Sequence, residues 1–170
     1  MEINLSKNIL YNVDVPIGKS KEYYEKWYEN VSKFMYSCLE NEEVSFLGYY
    51  PPDKSIGDDF CPNNYKIKTY SNTFYYYHSA YLSNDNVSLL VKDDEFNLGH
   101  IIVIKGSYDK DVIYLLSLCW EKELITANKE IFKMDSDGLS FYWYNPKSNL
   151  AENDFKSFAN NFETNTISLK

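Results

Sequence analysis

From Ile9 to Ile17 the odd positions Ile9, Tyr11, Val13, Val15 and Ile17 are apolar, while Asn12 and Asp14 face the other way. That two-residue period predicts a half-buried strand, stopped by Pro16 and Gly18. The period then changes. Tyr24, Trp27, Val31, Phe34 and Cys38 recur at steps of three and four, one apolar stripe that predicts a helix from Lys21 to Glu40 with Ser20 as its N-cap. On the opposite face Glu22 precedes Lys26 and Glu29 precedes Lys33, the i,i+4 order that supports a solvated helix surface.

Val44 to Tyr49 predicts a short strand, and Pro51, Pro52, Gly57 and Pro62 punctuate a loop after it. Tyr65, Ile67 and Thr69 alternate with Lys66 and Lys68 as a strand would, and the aromatic run from Thr73 to Leu82 reads as another, with Asn72 marking a break between them. Ser83-Asn84-Asp85-Asn86 reads as a turn that returns the chain through a strand from Val87 to Val91. The acidic turn Lys92-Asp93-Asp94-Glu95 leads on to Gly99, His100 and an apolar strand from Ile101 to Ile104. Val112 to Trp120 fits both periods: Val112, Tyr114, Leu116 and Leu118 alternate, yet Val112, Leu116 and Cys119 also fit a helical face. An antiparallel return across a short glycine-containing turn favours the strand. Glu130 to Met134 and Leu139 to Tyr144 flank Asp135-Ser136-Asp137-Gly138, whose Asp-Gly pair signals a hairpin. Asn149 and Glu152 stand at N-cap and N3 spacing ahead of Phe155, Phe158, Ala159 and Phe162, one face of a second amphipathic helix.

Together these elements predict an α+β fold: a mainly antiparallel sheet built from hairpins, packed on one face with an N-terminal and a C-terminal amphipathic helix. No repeat, linker or low-complexity tract divides the 170 residues, so residues 1–170 are read as a single domain.

Composition narrows the partners. All 17 basic residues are Lys, the net charge is −8, and Arg is missing altogether. Arg is the residue that grips phosphates and guanine edges with paired hydrogen bonds, and nonspecific nucleic-acid binding rests on a basic face. Direct nucleic-acid binding and attachment to an anionic membrane are therefore not expected, whereas a basic protein would be steered toward the chain. No apolar run reaches the length of a membrane span, and Met1 to Leu5 lacks the basic and apolar regions of a signal peptide. Cys38, Cys61 and Cys119 are scattered and odd in number, which reads as reduced thiols in the cytoplasm.

No motif for catalysis or metal binding is complete. Gly18-Lys19-Ser20 lies between a strand and a helix, as in a phosphate-binding loop, but the Gly that motif needs five residues earlier is Val13. Asp135-Ser136-Asp137-Gly138 resembles the opening of a calcium loop without the distal bidentate Glu. His78 and His100 are the only histidines, so any acid–base scheme must use one of them, and nothing around the three cysteines marks a nucleophile. No cofactor and no metal site is expected.

What remains is aromatic and acidic. Tyr supplies 17 residues, and Phe74 to Tyr77 and Phe141 to Tyr144 place rings on both faces of their strands, so a sheet covered on one face would show Tyr to solvent. Exposed rings beside carboxylates are the anchor chemistry of protein interfaces. The expected function is therefore a noncatalytic inhibitor or antidote of a basic protein, such as a nuclease-type toxin, in the mode of immunity proteins or phage-encoded counter-defence proteins. The expected contact residues are Asp58, Asp59, Asp93, Asp94 and Glu95, with Tyr49, Tyr50, Tyr76 and Phe96 as neighbours. The alternative is a small-ligand-binding or enzymatic domain in which the aromatic sheet walls a pocket around His78 or His100.

Overall fold

The structure is a computed structural model, and it describes residues 10–48, 65–69, 75–79, 81–106, 129–146, 151–163 and 166–169. In chain order the elements are β1 (Leu10–Asp14), α1 (Lys21–Leu39), β2 (Val44–Gly48), β3 (Tyr65–Thr69), β4 (Tyr75–Ser79), α2 (Asn84–Val91) and α3 (Asp94–Asn97). Then follow β5 (Ile101–Lys105), β6 (Ile131–Asp135), β7 (Ser140–Tyr144), α4 (Ala151–Ala159) and β8 (Thr166–Leu169). The class is α+β. The strands form one sheet in the order β3-β4-β2-β5-β6-β7-β1-β8, and every neighbouring pair is antiparallel.

Register explains which residues make the core. Tyr11 lies opposite Trp143 and Val13 opposite Phe141, Trp143 opposite Phe132 and Phe141 opposite Met134, and Phe132 opposite Val103. This row of one sheet face is buried and joined by the stripe of α1 and by Phe155, Phe158 and Ala159 of α4. Phe34 meets Trp143 edge-on with ring centroids 5.1 Å apart and stacks on Phe158 at 4.8 Å. Rings arranged this way contribute beyond the area they bury. Helix α1 begins as its sequence dictates, with the Ser20 side chain accepting from the Tyr23 N–H. Its solvated side carries the Glu22–Lys26 and Glu29–Lys33 pairs at 3.0 and 2.7 Å.

Five expectations are corrected. Ser83 to Asn86 is no turn: Ser83 accepts from the Asn86 N–H at 3.1 Å and the Asn86 side chain accepts from the Ser83 N–H at 3.0 Å, a capping box that starts α2. Val87, Leu90 and Val91, at helical spacing, bury that helix, so residues 87–91 are not a strand. The acidic turn is partly helical, since α3 starts at Asp94. Burial is not confined to one sheet face, because Ile102, Ile104, Ile131, Lys133 and Tyr144 on the other face are also buried. Tyr142 is half-buried and Tyr144 is 8% exposed, so β7 does not present its tyrosines freely to solvent. Finally, the opening alternation stops one step early, for Tyr11, Val13 and Val15 are buried but Ile17 is 83% exposed. Strand β8 was not expected at all. The predicted segments 49–64, 70–74 and 112–120 lie outside the described residues, as does Asn149.

The β6–β7 turn holds the most unusual backbone. Ser136, Asp137 and Gly138 all have positive φ, at 58°, 57° and 78°, a conformation that disfavours side chains other than Asn, Asp and Gly. Tertiary contacts fix it. The Gly138 carbonyl accepts from Trp27 Nε1 at 2.7 Å, and the Gly138 N–H donates to the Asn97 carbonyl at 3.0 Å. The turn is thereby bolted to α1 on one side and to α3 on the other.

Candidate partner-binding face

Helix α2 packs against α1, and the two enclose an open groove of about 600 Å3 lined by Glu25, Tyr28 and Glu29 of α1, by Asp85 and Ser88 of α2 and by Lys92 at the α2 C-cap. Tyr28 marks the end of the groove nearest the β6–β7 turn, since its hydroxyl lies 3.4 Å from the Asp137 carbonyl, to which it donates. The Tyr28 hydroxyl is held above its usual pKa, first by burial and then by the negative potential of Tyr24, Asp137 and Asp94. Asp94 and Asp137, far apart in sequence, therefore act on the same hydroxyl.

The carboxylates of this face fall into two groups. Glu25 and Glu29 are paired along α1 with Lys21 at 3.6 Å and Lys33 at 2.7 Å, and the Lys33 hydrogen bond holds the Glu29 carboxyl below its usual pKa. Asp85, Asp94 and Asp137 are exposed and make no ion pair among the described residues. Exposed pairs contribute little to stability; what matters here is that three carboxylates from three separate segments have no cation paired with them among the described residues.

The expected contact residues divide accordingly. Asp94 lies on this face. Asp93 is spent locally, its Oδ1 accepting from the Phe96 N–H at 3.3 Å as the cap of α3. Phe96 is completely buried, so it supports the acidic segment from beneath and is corrected as a contact residue. Glu95 belongs to α3 and Tyr76 to β4, opposite Leu47 and Lys68, but their side chains lie outside the described residues. Asp58, Asp59, Tyr49 and Tyr50 also lie outside them. Sequence reasoning passed over Tyr28, Asp85 and Asp137. Asp85 and Asp137 were visible only as turn residues, and nothing in the sequence links them to Tyr28.

A second cavity, of about 440 Å3, is lined by Phe34, Cys38, Lys105, Glu130, Trp143 and Asp154. Glu130 is buried there, with Oε1 accepting from Trp143 Nε1 at 3.0 Å and Oε2 3.6 Å from Lys105 Nζ. Burial, with Glu130 adding to it, pushes the Cys38 thiol up to about 12. Nucleophilic attack needs the thiolate, so this cysteine is held in its inert form. Neither cavity is lined by His100, and the side chain of His78 lies outside the described residues.

The loop that resembled a phosphate cradle is occupied structurally: Ser20 caps α1 and Lys19 Nζ pairs with Glu163. Among the described residues no group of His, Cys, Asp and Glu could hold a metal ion, and no helix is long and apolar enough to cross a membrane. The chain matches no protein-family model, no curated protein and no solved structure.

Proposed function

We propose that this chain is a noncatalytic binding protein that neutralises a basic protein partner in the cytoplasm, in the manner of an immunity protein or a counter-defence inhibitor. The contact face is the one built from α1, α2, α3 and the β6–β7 turn. One observation carries the reading: Asp85, Asp94 and Asp137 stand exposed around Tyr28 without an ion pair among the described residues, in a chain of net charge −8. Uncompensated carboxylates steer a basic protein and speed its association, while apolar contacts set how long it stays. Leu89 and Leu98, 48% and 44% exposed, lie on α2 and just beyond α3 and supply such contacts. If the partner is a nuclease, the same carboxylates occupy the place of the phosphates it would bind.

The test is affinity capture with the tagged protein and with its Asp85→Asn, Asp94→Asn, Asp137→Asn triple variant, at low and high salt. A basic protein retained stoichiometrically by the wild type and lost with the variant supports the reading. Capture that is indifferent to both salt and variant overturns it.

A second reading, small-ligand binding, attaches to the cavity around Glu130 and Lys105, whose walls include Phe34 and Trp143. Under that reading a thermal-shift screen of small molecules yields a ligand whose effect is abolished by Asp154→Asn.

A further inference from the structure

The second cavity shares no lining residue with the groove between α1 and α2. It opens between the last turn of α1, with Ser37 and Cys38, and helix α4, with Asp154 and Ser157. Phe34, Glu130 and Trp143 are its buried walls, whereas Ser37, Asp154 and Ser157 are exposed at its rim. Its volume of about 440 Å3 falls in the range that small ligands occupy, about 300–1,000 Å3, and its lining of rings with a few polar groups is the kind such sites have.

The charges around it do not balance. Lys105 is answered twice, by Glu42 at 3.3 Å and by Glu130 at 3.6 Å. Asp154 makes no ion pair among the described residues. What the cavity lacks is positive charge. Two further features have the same sign. Helix α1, 19 residues long, ends here with no basic residue in its last turn, so the negative end of its dipole is unmatched. The Cys38 thiol is pushed up first by burial and then by Glu130, which outweighs the opposing Lys105, and Asp154 adds to the rise. All three charges therefore reach one wall of the cavity, and their sum there is negative. Among the described residues no group of His, Cys, Asp and Glu could hold a metal ion, and walls of Phe34 and Trp143 suit an organic body.

We propose that this cavity binds a small organic ammonium, its charge held by Asp154 and Glu130 and its apolar body packed against Phe34 and Trp143. This rests on the small-ligand reading of the cavity given above and assigns its ligand a chemical class; it does not depend on the basic partner. An anion would face two carboxylates and a lysine that is already paired, and a neutral molecule would leave Asp154 without a counter-charge.

The test is an NMR titration of the whole protein with three probes of similar shape and different charge: phenethylamine, 2-phenylethanol and phenylacetate. The indole N–H of Trp143, which donates to Glu130 Oε1, is expected to shift saturably with phenethylamine, while that of Trp27, which donates to the Gly138 carbonyl, stays in place. Phenethylamine is expected to bind about five-fold or more tighter than either other probe, since two carboxylates act on it. Asp154→Asn weakens it about three-fold, the size of one exposed ion pair, and Ser157→Leu, which fills the mouth, abolishes it. Glu22→Gln, in an exposed pair elsewhere on α1, changes it less than two-fold. All three positions are exposed, so a loss reports binding rather than unfolding. Equal binding of the three probes, tightest binding of phenylacetate, or phenethylamine binding that Asp154→Asn leaves unchanged overturns the proposal, as does the lack of a saturable Trp143 shift. The proposal and the reading beneath it fail separately. A neutral or anionic ligand that shifts Trp143 and is blocked by Ser157→Leu sinks the ammonium alone, whereas probe binding that bypasses Trp143 and ignores Ser157→Leu sinks the cavity as a ligand site.

Discussion

Replacing Gly138 with Ala probes the junction on which the acidic face is assembled. The new Cβ would lie 2.9 Å from Asn97 Oδ1, 2.9 Å from Tyr28 Cε1 and 2.9 Å from the Tyr28 hydroxyl oxygen, closer than packed carbon atoms come, so α1 or α3 must move. Gly18 supplies the internal control. Its φ of +83° matches the +78° of Gly138, but a Cβ there meets nothing within 4 Å. Both substitutions carry the left-handed backbone term, about 1–2 kcal/mol, offset in part by the smaller entropy of the unfolded Ala chain, about 0.4–1 kcal/mol. Only Gly138→Ala adds overpacking, about 1–3 kcal/mol, and its displacement of the Gly138 carbonyl also weakens the Trp27 Nε1 hydrogen bond. Gly138→Ala is therefore expected to be less stable than Gly18→Ala by about 1–3 kcal/mol. Urea unfolding followed by tryptophan fluorescence reads this as a midpoint about 1 M lower at unchanged slope, given a slope of about 2 kcal/mol per M. Equal midpoints for the two variants would refute the packing of the turn against Tyr28 and Asn97.

Three further outcomes follow from the same structure. Ser83→Ala removes the acceptor for the Asn86 N–H and is expected to destabilise by about 1 kcal/mol, with amide exchange rising first in α2; a change confined to Val87–Val91 without loss of helical signal would contradict the capped helix. Glu130→Ala strands the buried Trp143 N–H and is expected to destabilise by about 1.5–3 kcal/mol, most of which Glu130→Gln restores by keeping an acceptor; equal losses for both variants would show that the charge, not the hydrogen bond, matters. The Cys38 thiol is pushed up to about 12, and the Tyr11, Tyr23 and Tyr28 hydroxyls are also raised, each chiefly by burial. A group whose folded pKa is raised stabilises fully below its unfolded value and loses that contribution as pH rises through the folded one. Stability is thus expected to fall between pH 9 and 12, and Cys38→Ser to flatten part of that fall in pH-dependent urea melts; a slope unchanged by the substitution would contradict the burial of the thiol.

The parts of the fold that were legible in the sequence are those where a local signal and a tertiary role coincide. Ser20 and the Trp27, Val31, Phe34 stripe gave α1 because the same residues cap the helix and bury it. Asp137-Gly138 gave the β6–β7 hairpin because a positive φ was required there. Where one residue type serves two structures, local reading had no means to choose. Ser83, Asp85 and Asn86 suit a turn and a helix N-terminus alike, and the short apolar run behind them fits either period; the capping box and the burial of Val87, Leu90 and Val91 decide for the helix. Strand β8 is four residues long and owes its conformation to pairing with β1, where Thr166 lies opposite Asp14 and Ile167 opposite Val13. The candidate site was the least legible. Asp94 stood out as one of an acidic run, but Tyr28, Asn97 and Asp137 become neighbours only because the turn docks on α1 and α3, a contact that no spacing in the chain announces.

The central claim, that uncompensated carboxylates on this face capture a basic protein, is tested most directly by the association rate of the captured partner across ionic strength. Wild type is to be compared with the Asp85→Asn, Asp94→Asn, Asp137→Asn variant. The account predicts a wild-type rate that falls at least ten-fold between low and physiological salt, and a variant whose rate is lower and nearly flat over that range. Identical rates and identical salt slopes for the two proteins would contradict it.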